Sequence, residues 1–254
     1  SATQNVLPTL SNAQKFVAFS GSGITARDSK YIEIYDNHVH HTGGVGISAV
    51  GSEYIEIVDN VVKDATQRMT AGSMGIVVRD SKDEIDDGST SGGTYKIIIA
   101  NNSVSDVQNE LYSWVFTKMF VEPALDEGKG ISPEHQDFGE TDGDGFDGRM
   151  LLAGNLTWMN GVSGVNVHNS ENADLVHNTS YLNSAYSSIW GLPASSNIGI
   201  TAVHDDGGDD HGEDNQAWNN LGIVDGALNG KAVSLATEYR NPNGEGPLNP
   251  GGGG

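Results

Sequence analysis

Gly46-Ile47-Ser48-Ala49-Val50-Gly51-Ser52-Glu53-Tyr54-Ile55-Glu56-Ile57-Val58-Asp59-Asn60 decides the fold. A Gly-Ile step opens a short apolar run, a small-residue turn follows at Gly51-Ser52, and an alternating strand closes on Asn60. Alternation of apolar and polar residues is the signature of a strand with one buried face. Such short strands are not stable alone and need neighbours on both sides.

The same pattern recurs on both sides of this stretch. Gly-Ile or Gly-Val steps stand at Gly23-Ile24, Gly75-Ile76, Gly130-Ile131, Gly164-Val165 and Gly199-Ile200, and the Asn marker returns at Asn37, Asn102, Asn155, Asn178 and Asn220. Gly23 to Asn37, Gly46 to Asn60 and Gly164 to Asn178 are each fourteen residues, and Asn37 to Gly46 is nine, so the undecorated period is 23. A period of that length predicts one turn of a solenoid in which strands of successive turns stack about 4.8 Å apart. The expectation is an all-β, right-handed single-stranded parallel β-helix of about six coils. In it Ile, Val and Leu point inward, and the Asn residues form a hydrogen-bonded ladder at a bend where left-handed backbone is tolerated. That structural role competes with glycosylation at the sequons Asn101-Asn102-Ser103, Asn155-Leu156-Thr157 and Asn178-Thr179-Ser180.

Departures from the period locate insertions, which on a solenoid become loops. They fall at Asp83 to Gly93, at an aromatic segment Leu111 to Phe116 that reads as a short helix, at Thr141 to Asp147, and at the acidic run His204 to Asp214. Residues 1–20 read as a partial first coil or cap, 21–225 as the β-helix, and 226–254 as an extension ending in a Pro- and Gly-rich tail. No amphipathic cap helix is visible in either terminal segment, so exposed strand edges imply a fragment or end-to-end self-association.

Composition agrees with a lean, turn-rich solenoid: 36% of residues are hydrophobic and 34 of 254 are Gly. Thirteen Lys and Arg against 34 Asp and Glu give a net charge of −21, which disfavours nucleic acid and anionic membranes as partners. There is no apolar stretch of about eighteen residues that would span a membrane and no basic-then-apolar leader at Ser1. The absence of Cys excludes disulfides and thiolate metal sites.

Three stretches carry a resemblance: Gly46-Ile47 with Tyr54 to Asn60, Gly148-Arg149-Met150-Leu151-Leu152, and Asn160-Gly161 leading to Gly164-Val165-Asn166-Val167. Over roughly residues 20 to 222 the chain resembles bacterial secreted right-handed parallel β-helix proteins of the pectate-lyase-like superfamily. Glu127-Gly128-Lys129-Gly130-Ile131 is similar to the Asp-Gly-Asn-Gly-Ile step of that group, with two departures. The resemblance implies an extracellular or cell-surface location and a polysaccharide partner. The group spans lyases, epimerases, hydrolases and non-catalytic surface proteins, so it assigns no catalytic residue.

Candidate chemistry comes from register. Four residues after each Gly stand Arg27, Val50, Arg79, Glu134, His168 and Val203, and five after stand Asp28, Gly51, Asp80, His135, Asn169 and His204. These rows gather charge and imidazole at one strand end, either as a polar rim or as a groove for an extended glycan. For a uronate lyase the candidate bases are Lys129, His135, His168 and His204, with Arg79 and Arg149 as carboxylate partners, and Asp80, Glu134 and Trp114 as further substrate contacts. Trp158 and Trp190 are alternative stacking residues, although Trp in a solenoid more often packs under a loop. A hydrolase would need paired carboxylates about 5–9.5 Å apart, for which Asp80 with Glu134, or Asp142 with Asp144, are the candidates.

Ca²⁺ is the expected cofactor. Asp142, Asp144 and Asp147, separated by Gly, offer oxygen ligands but lack the twelfth-position Glu of an EF-hand, and Asp205, Asp209 and Asp210 lie in the second acidic run. Two functions remain: a Ca²⁺-assisted polysaccharide lyase, or a non-catalytic surface or filament protein that stacks end to end and binds cations or glycans.

Overall fold

The computed structural model of the chain describes residues 21–69, 72–82, 84–85, 94–111, 128–134, 136, 146, 148–183, 196–201, 215–223 and 231–236; side chains are described at Ile198 alone within 196–201 and not within 231–236. Among these residues every regular element is a β-strand, and strands arrive in triplets. The first is β1 (Ile24–Arg27), β2 (Lys30–Tyr35) and β3 (His38–His40); the second is β4 (Ile47–Val50), β5 (Glu53–Val58) and β6 (Val61–Lys63). Then come β7 (Met74–Arg79), β8 (Tyr95–Ala100) and β9 (Ser103–Ser105), followed by β10 (Lys129–Glu134), β11 (Arg149–Ala153) and β12 (Leu156–Trp158). The last are β13 (Val165–His168), β14 (Ala173–Val176) and β15 (Thr179–Tyr181), β16 (Ser196–Thr201), β17 (Gln216–Trp218) and β18 (Leu221–Ile223), and finally β19 (Lys231–Ala236).

Each member of a triplet pairs in parallel with its counterpart in the next, giving a first sheet β1-β4-β7-β10-β13-β16-β19, a second β2-β5-β8-β11-β14-β17 and a third β3-β6-β9-β12-β15-β18. Three parallel sheets built from one repeating triplet are compatible with a parallel β-helix. No helix of the described residues is long and apolar enough to cross a membrane.

The inward faces form aliphatic columns. Ile47, Ile76, Ile131, Val165 and Ile198 are consecutive partners in the first sheet, and Ile57, Ile99, Leu152 and Leu175 in the second. All are fully buried. In the third sheet the inward column passes from Val62 and Val104 to Thr157 and Ser180, whose hydroxyls hydrogen-bond each other at 2.6 Å, so polar side chains enter the interior without losing a partner.

Corners explain the markers. A residue in left-handed backbone follows nearly every described strand: Asp28, Gly51, Asp80 and Asn169 after the first sheet, Asp36, Asp59, Asn101, Gly154, His177 and Asn219 after the second, and His41, Asp64, Asp106, Met159 and Leu182 after the third. Asp, Asn and Gly tolerate that conformation best, so part of the acidic composition belongs to turn geometry. The expected Asn ladder is present. Asn60 Oδ1 accepts from Asn37 N and Nδ2, and the same pair of bonds runs Asn60 to Asn102, Asn102 to Asn155, Asn155 to Asn178 and Asn178 to Asn220. Asn155 and Asn178 are buried in this column, which leaves their amides no room for a glycan, whereas Asn101 is exposed. Asn160 and Asn183, also 23 apart, form a second such pair at the next corner.

The Gly of the Gly-Ile step has a steric reason. A Cβ on Gly23, Gly46, Gly75 or Gly130 would lie 2.4–2.7 Å from the carbonyl oxygen of the next Gly in the column. At Gly75 it would also meet Val104 Cγ1 at 2.6 Å and Val107 Cγ2 at 2.8 Å. Gly75→Ala is therefore expected to destabilise by about 2–3 kcal/mol through overpacking against backbone that cannot retreat. A lowered urea midpoint would register it.

One expected register differs. Val165 pairs with Ile198, and Asn166 with Gly199, so the corner position falls on Asn197 and the row of Glu134 and His168 continues to Thr201 instead of Val203. This takes His204 out of the row in which the spacing placed it, and His204 itself lies outside the described residues.

Candidate functional site

β10, with the sequence Lys129-Gly130-Ile131-Ser132-Pro133-Glu134, is buried along its whole length and lies between β7 and β13. Pro133 has no N–H to give to the ladder, an unusual choice for a strand flanked on both sides. The register toward β7 is nearly complete, whereas toward β13 it holds at Ile131 with Val165 and at Glu134 with His168. Ile131 points into the core, while Ser132 and Glu134 meet on the same side: Ser132 Oγ donates to Glu134 Oε1 at 3.0 Å. Lys129 Nζ donates to that oxygen at 2.5 Å.

Glu134 is the centre of the cluster. Burial alone would push its carboxyl up, but the charges of Lys129 and His168 and the hydrogen bonds from Lys129 and Ser132 overcome that and hold it below its ordinary value. Its strand neighbours in register are Arg79 on β7 and His168 on β13. Arg79 is exposed and pairs with Asp80, Nε to Oδ2 at 3.0 Å. His168 is half-buried, and Ser170 Oγ donates to its carbonyl at 2.9 Å. A buried ionised carboxylate, a lysine, a partly open imidazole and an exposed guanidinium thus share one side of the first sheet. Such a set can orient an imidazole, hold a negative charge and move a proton.

The other predicted residues fall elsewhere. Arg149 begins β11 in the second sheet, where Nε donates to Asp174 Oδ2 at 2.8 Å, Nη2 donates to Asp174 Oδ1, and Tyr95 Oη donates to Asp174 Oδ2 at 2.6 Å. The Asp174 bond pushes the Tyr95 phenol above its ordinary range. This network joins three neighbouring strands of the second sheet and stands apart from β10. Trp114, His135, Asp142, Asp144, Asp147, Asp205, Asp209 and Asp210, with the predicted short helix, lie outside the described residues. Phe146, from the same acidic segment, is buried in the core. Among the described residues no group of three or more His, Asp or Glu comes together as a metal holder.

Sequence spacing missed a second buried ion pair. Lys96 Nζ lies 3.3 Å from Glu53 Oε1, both essentially inaccessible, and the Glu53 carboxylate also accepts from the backbone N–H groups of Glu84 and Ile85 at 3.3 and 3.1 Å. Glu53 thereby ties the start of an insertion to the second sheet. Its only signal was a Glu in the position held by Lys30 one period earlier.

Comparison with protein-family models, with curated proteins and with solved structures gives no match for this chain.

Proposed function

We propose that the chain is a right-handed parallel β-helix of about six coils, of the pectate-lyase-like superfamily. On this reading it acts outside the cell or at its surface on a polysaccharide bound along the outer side of the first sheet. The reaction is β-elimination from a uronate. His168 takes the proton beside the carboxylate, the electron pair forms the new carbon–carbon double bond, and the glycosidic oxygen leaves with its bonding pair and is protonated by water to a hydroxyl. Arg79 pairs with the substrate carboxylate as charge builds on it, and Glu134, held by Lys129, positions the imidazole. The observation that carries this reading is the buried Glu134 beside a half-buried His168 and an exposed Arg79 in one register row. Ca²⁺ bound by the acidic segments around Asp142 and Asp205 would offset the repulsion between a polyuronate and a chain of net charge −21.

Incubation with alginate, pectate and other polyuronates, with Ca²⁺ or with a chelator, is expected to release an unsaturated product that absorbs in the ultraviolet. His168→Ala is expected to lower the rate by about a hundredfold or more. Failure of every polyuronate to give that product sinks the lyase.

A second reading, a non-catalytic surface or filament protein, is favoured by the outer face of the third sheet. There the row His40, Lys63, Ser105, Trp158, Tyr181, Ile223 turns from polar to apolar along the chain, and Tyr181, Leu221 and Ile223 are exposed. Sedimentation that shows long, concentration-dependent assemblies without elimination activity would select it.

A further inference from the structure

Away from β10, β2 and β5 of the second sheet carry a stacked pair of aromatics. Tyr31 and Tyr54, 23 residues apart, stack with ring centroids 5.0 Å apart and planes inclined by 16°. Lys96 Nζ sits over the Tyr54 ring, 5.3 Å from its centroid. Tyr31 is the open end of this stack, with 68% of its surface exposed. Both tyrosines have left-handed backbone, φ 56° and 54°, a conformation that bulky side chains rarely adopt. Asp, Asn and Gly hold most of the left-handed corners of this chain, whereas Tyr31 and Tyr54 lie within β2 and β5. Tyr31 is exposed and Tyr54 half-buried, so the stack stands at the surface across two successive repeats.

The stack borders a shallow cavity of about 110 Å³, lined also by Glu33, Glu56 and Tyr95. Glu33 and Glu56 are register partners on β2 and β5, so two carboxylates stand side by side along one wall. Glu56 accepts a hydrogen bond from Tyr35 Oη. An aromatic face beside carboxylate acceptors suits a pyranose: the apolar face of the sugar lies on the ring and its hydroxyls donate to the carboxylates. The same carboxylates repel a uronate.

The geometry points to a binding site for a neutral saccharide on the Tyr31–Tyr54 stack, with Glu33 and Glu56 as hydroxyl acceptors. It does not depend on catalysis at His168. A protein that works on one polymer while attached to another, uncharged one would need two such surfaces.

Isothermal titration of the full chain with cellohexaose, xylohexaose and mannohexaose, and with hexagalacturonate and oligolysine as charged controls, tests the site. At least one neutral oligosaccharide is expected to bind. Tyr31→Ala is expected to weaken it about tenfold or more, Tyr31→Trp to retain it, and Glu33→Gln to weaken it severalfold. Because Tyr31 is exposed, an unchanged far-ultraviolet spectrum will show that Tyr31→Ala still folds. Equal affinity in wild type and Tyr31→Ala overturns the inference, as does binding confined to hexagalacturonate or to oligolysine, or binding of none of the neutral probes. His168→Ala separates the two sites: it removes elimination under the lyase reading and leaves neutral-saccharide affinity unchanged.

Discussion

Asn155→Ala should lower stability by about 3–6 kcal/mol, because it strands groups that water cannot reach. Asn155 Oδ1 accepts from Asn102 N and Nδ2 at 3.0 and 3.1 Å, and Asn155 Nδ2 donates to Ile99 O and Asn178 Oδ1 at 2.8 and 2.9 Å. Truncation leaves the buried Asn102 N–H and the Ile99 carbonyl without these partners, and each such group costs about 1–3 kcal/mol. Domains of ordinary stability have about 5–15 kcal/mol in total, so the variant sits near the limit of folding. Asn155→Asp should fare no better: it keeps the acceptor, loses both donors, and faces Ile99 O and Asn178 Oδ1 with a negative charge. Asn37→Ala supplies the contrast. Asn37 is partly exposed and its described side-chain bonds go only to Tyr35 O and Asn60, so its loss should cost about 1 kcal/mol or less. Urea denaturation of the three variants reads the difference, and equal midpoints for Asn37→Ala and Asn155→Ala would show that the ladder is not what holds the corner.

Lys129→Met is the second large effect, expected at about 3–5 kcal/mol, since it leaves the Glu134 charge buried without its nearest cation. Lys129→Met combined with Glu134→Leu removes both charges and should recover much of the loss, because a well-packed apolar pair is often as stable as a buried ionic one. The pair also sets a pH dependence. The carboxyl of Glu134 in the folded chain lies below the 4.5 of an unperturbed Glu. Its contribution is therefore complete above pH 4.5 and is lost as pH falls from there through the folded value. Thermal melts between neutral and acid pH should show wild type losing this increment and the double variant lacking it. A wild-type curve parallel to that of the double variant would contradict the assignment.

Much of this architecture was readable from spacing, for a physical reason. A stacked repeat brings each residue beside the one a period away, so arithmetic on Gly and Asn positions becomes contact: Arg79, Glu134 and His168 are adjacent across three strands as the Gly-Ile ruler placed them. The ruler slipped at Gly199 because an error of two residues keeps every side chain on its proper face. Ile198 and Ile200 stand two residues apart, so the alternation of apolar residues in the sequence fits either register and cannot choose between them. What periodicity cannot convey is reach within one strand, as between Lys129 and Glu134, or between a strand and an insertion, as between Glu53 and Ile85. The Tyr31–Tyr54 stack and the Asn160–Asn183 pair obeyed the same period of 23 and were legible in principle. Both lie off the Gly-Ile steps and the first Asn column, so the residues that define the period do not point to them.

The Asn column has a direction. At every described step the amide N–H groups point toward the later residue and the carbonyl oxygen toward the earlier one, from Asn37 through to Asn220. Aligned amide dipoles add, as peptide dipoles do in a helix, and each bond polarises the next. The rod is therefore electrically vectorial along this corner, with its negative pole beside Asn37 and its positive pole beside Asn220. Within about a turn of each end this field favours a cation at the first and an anion at the second, superposed on the repulsion of anions by a net charge of −21.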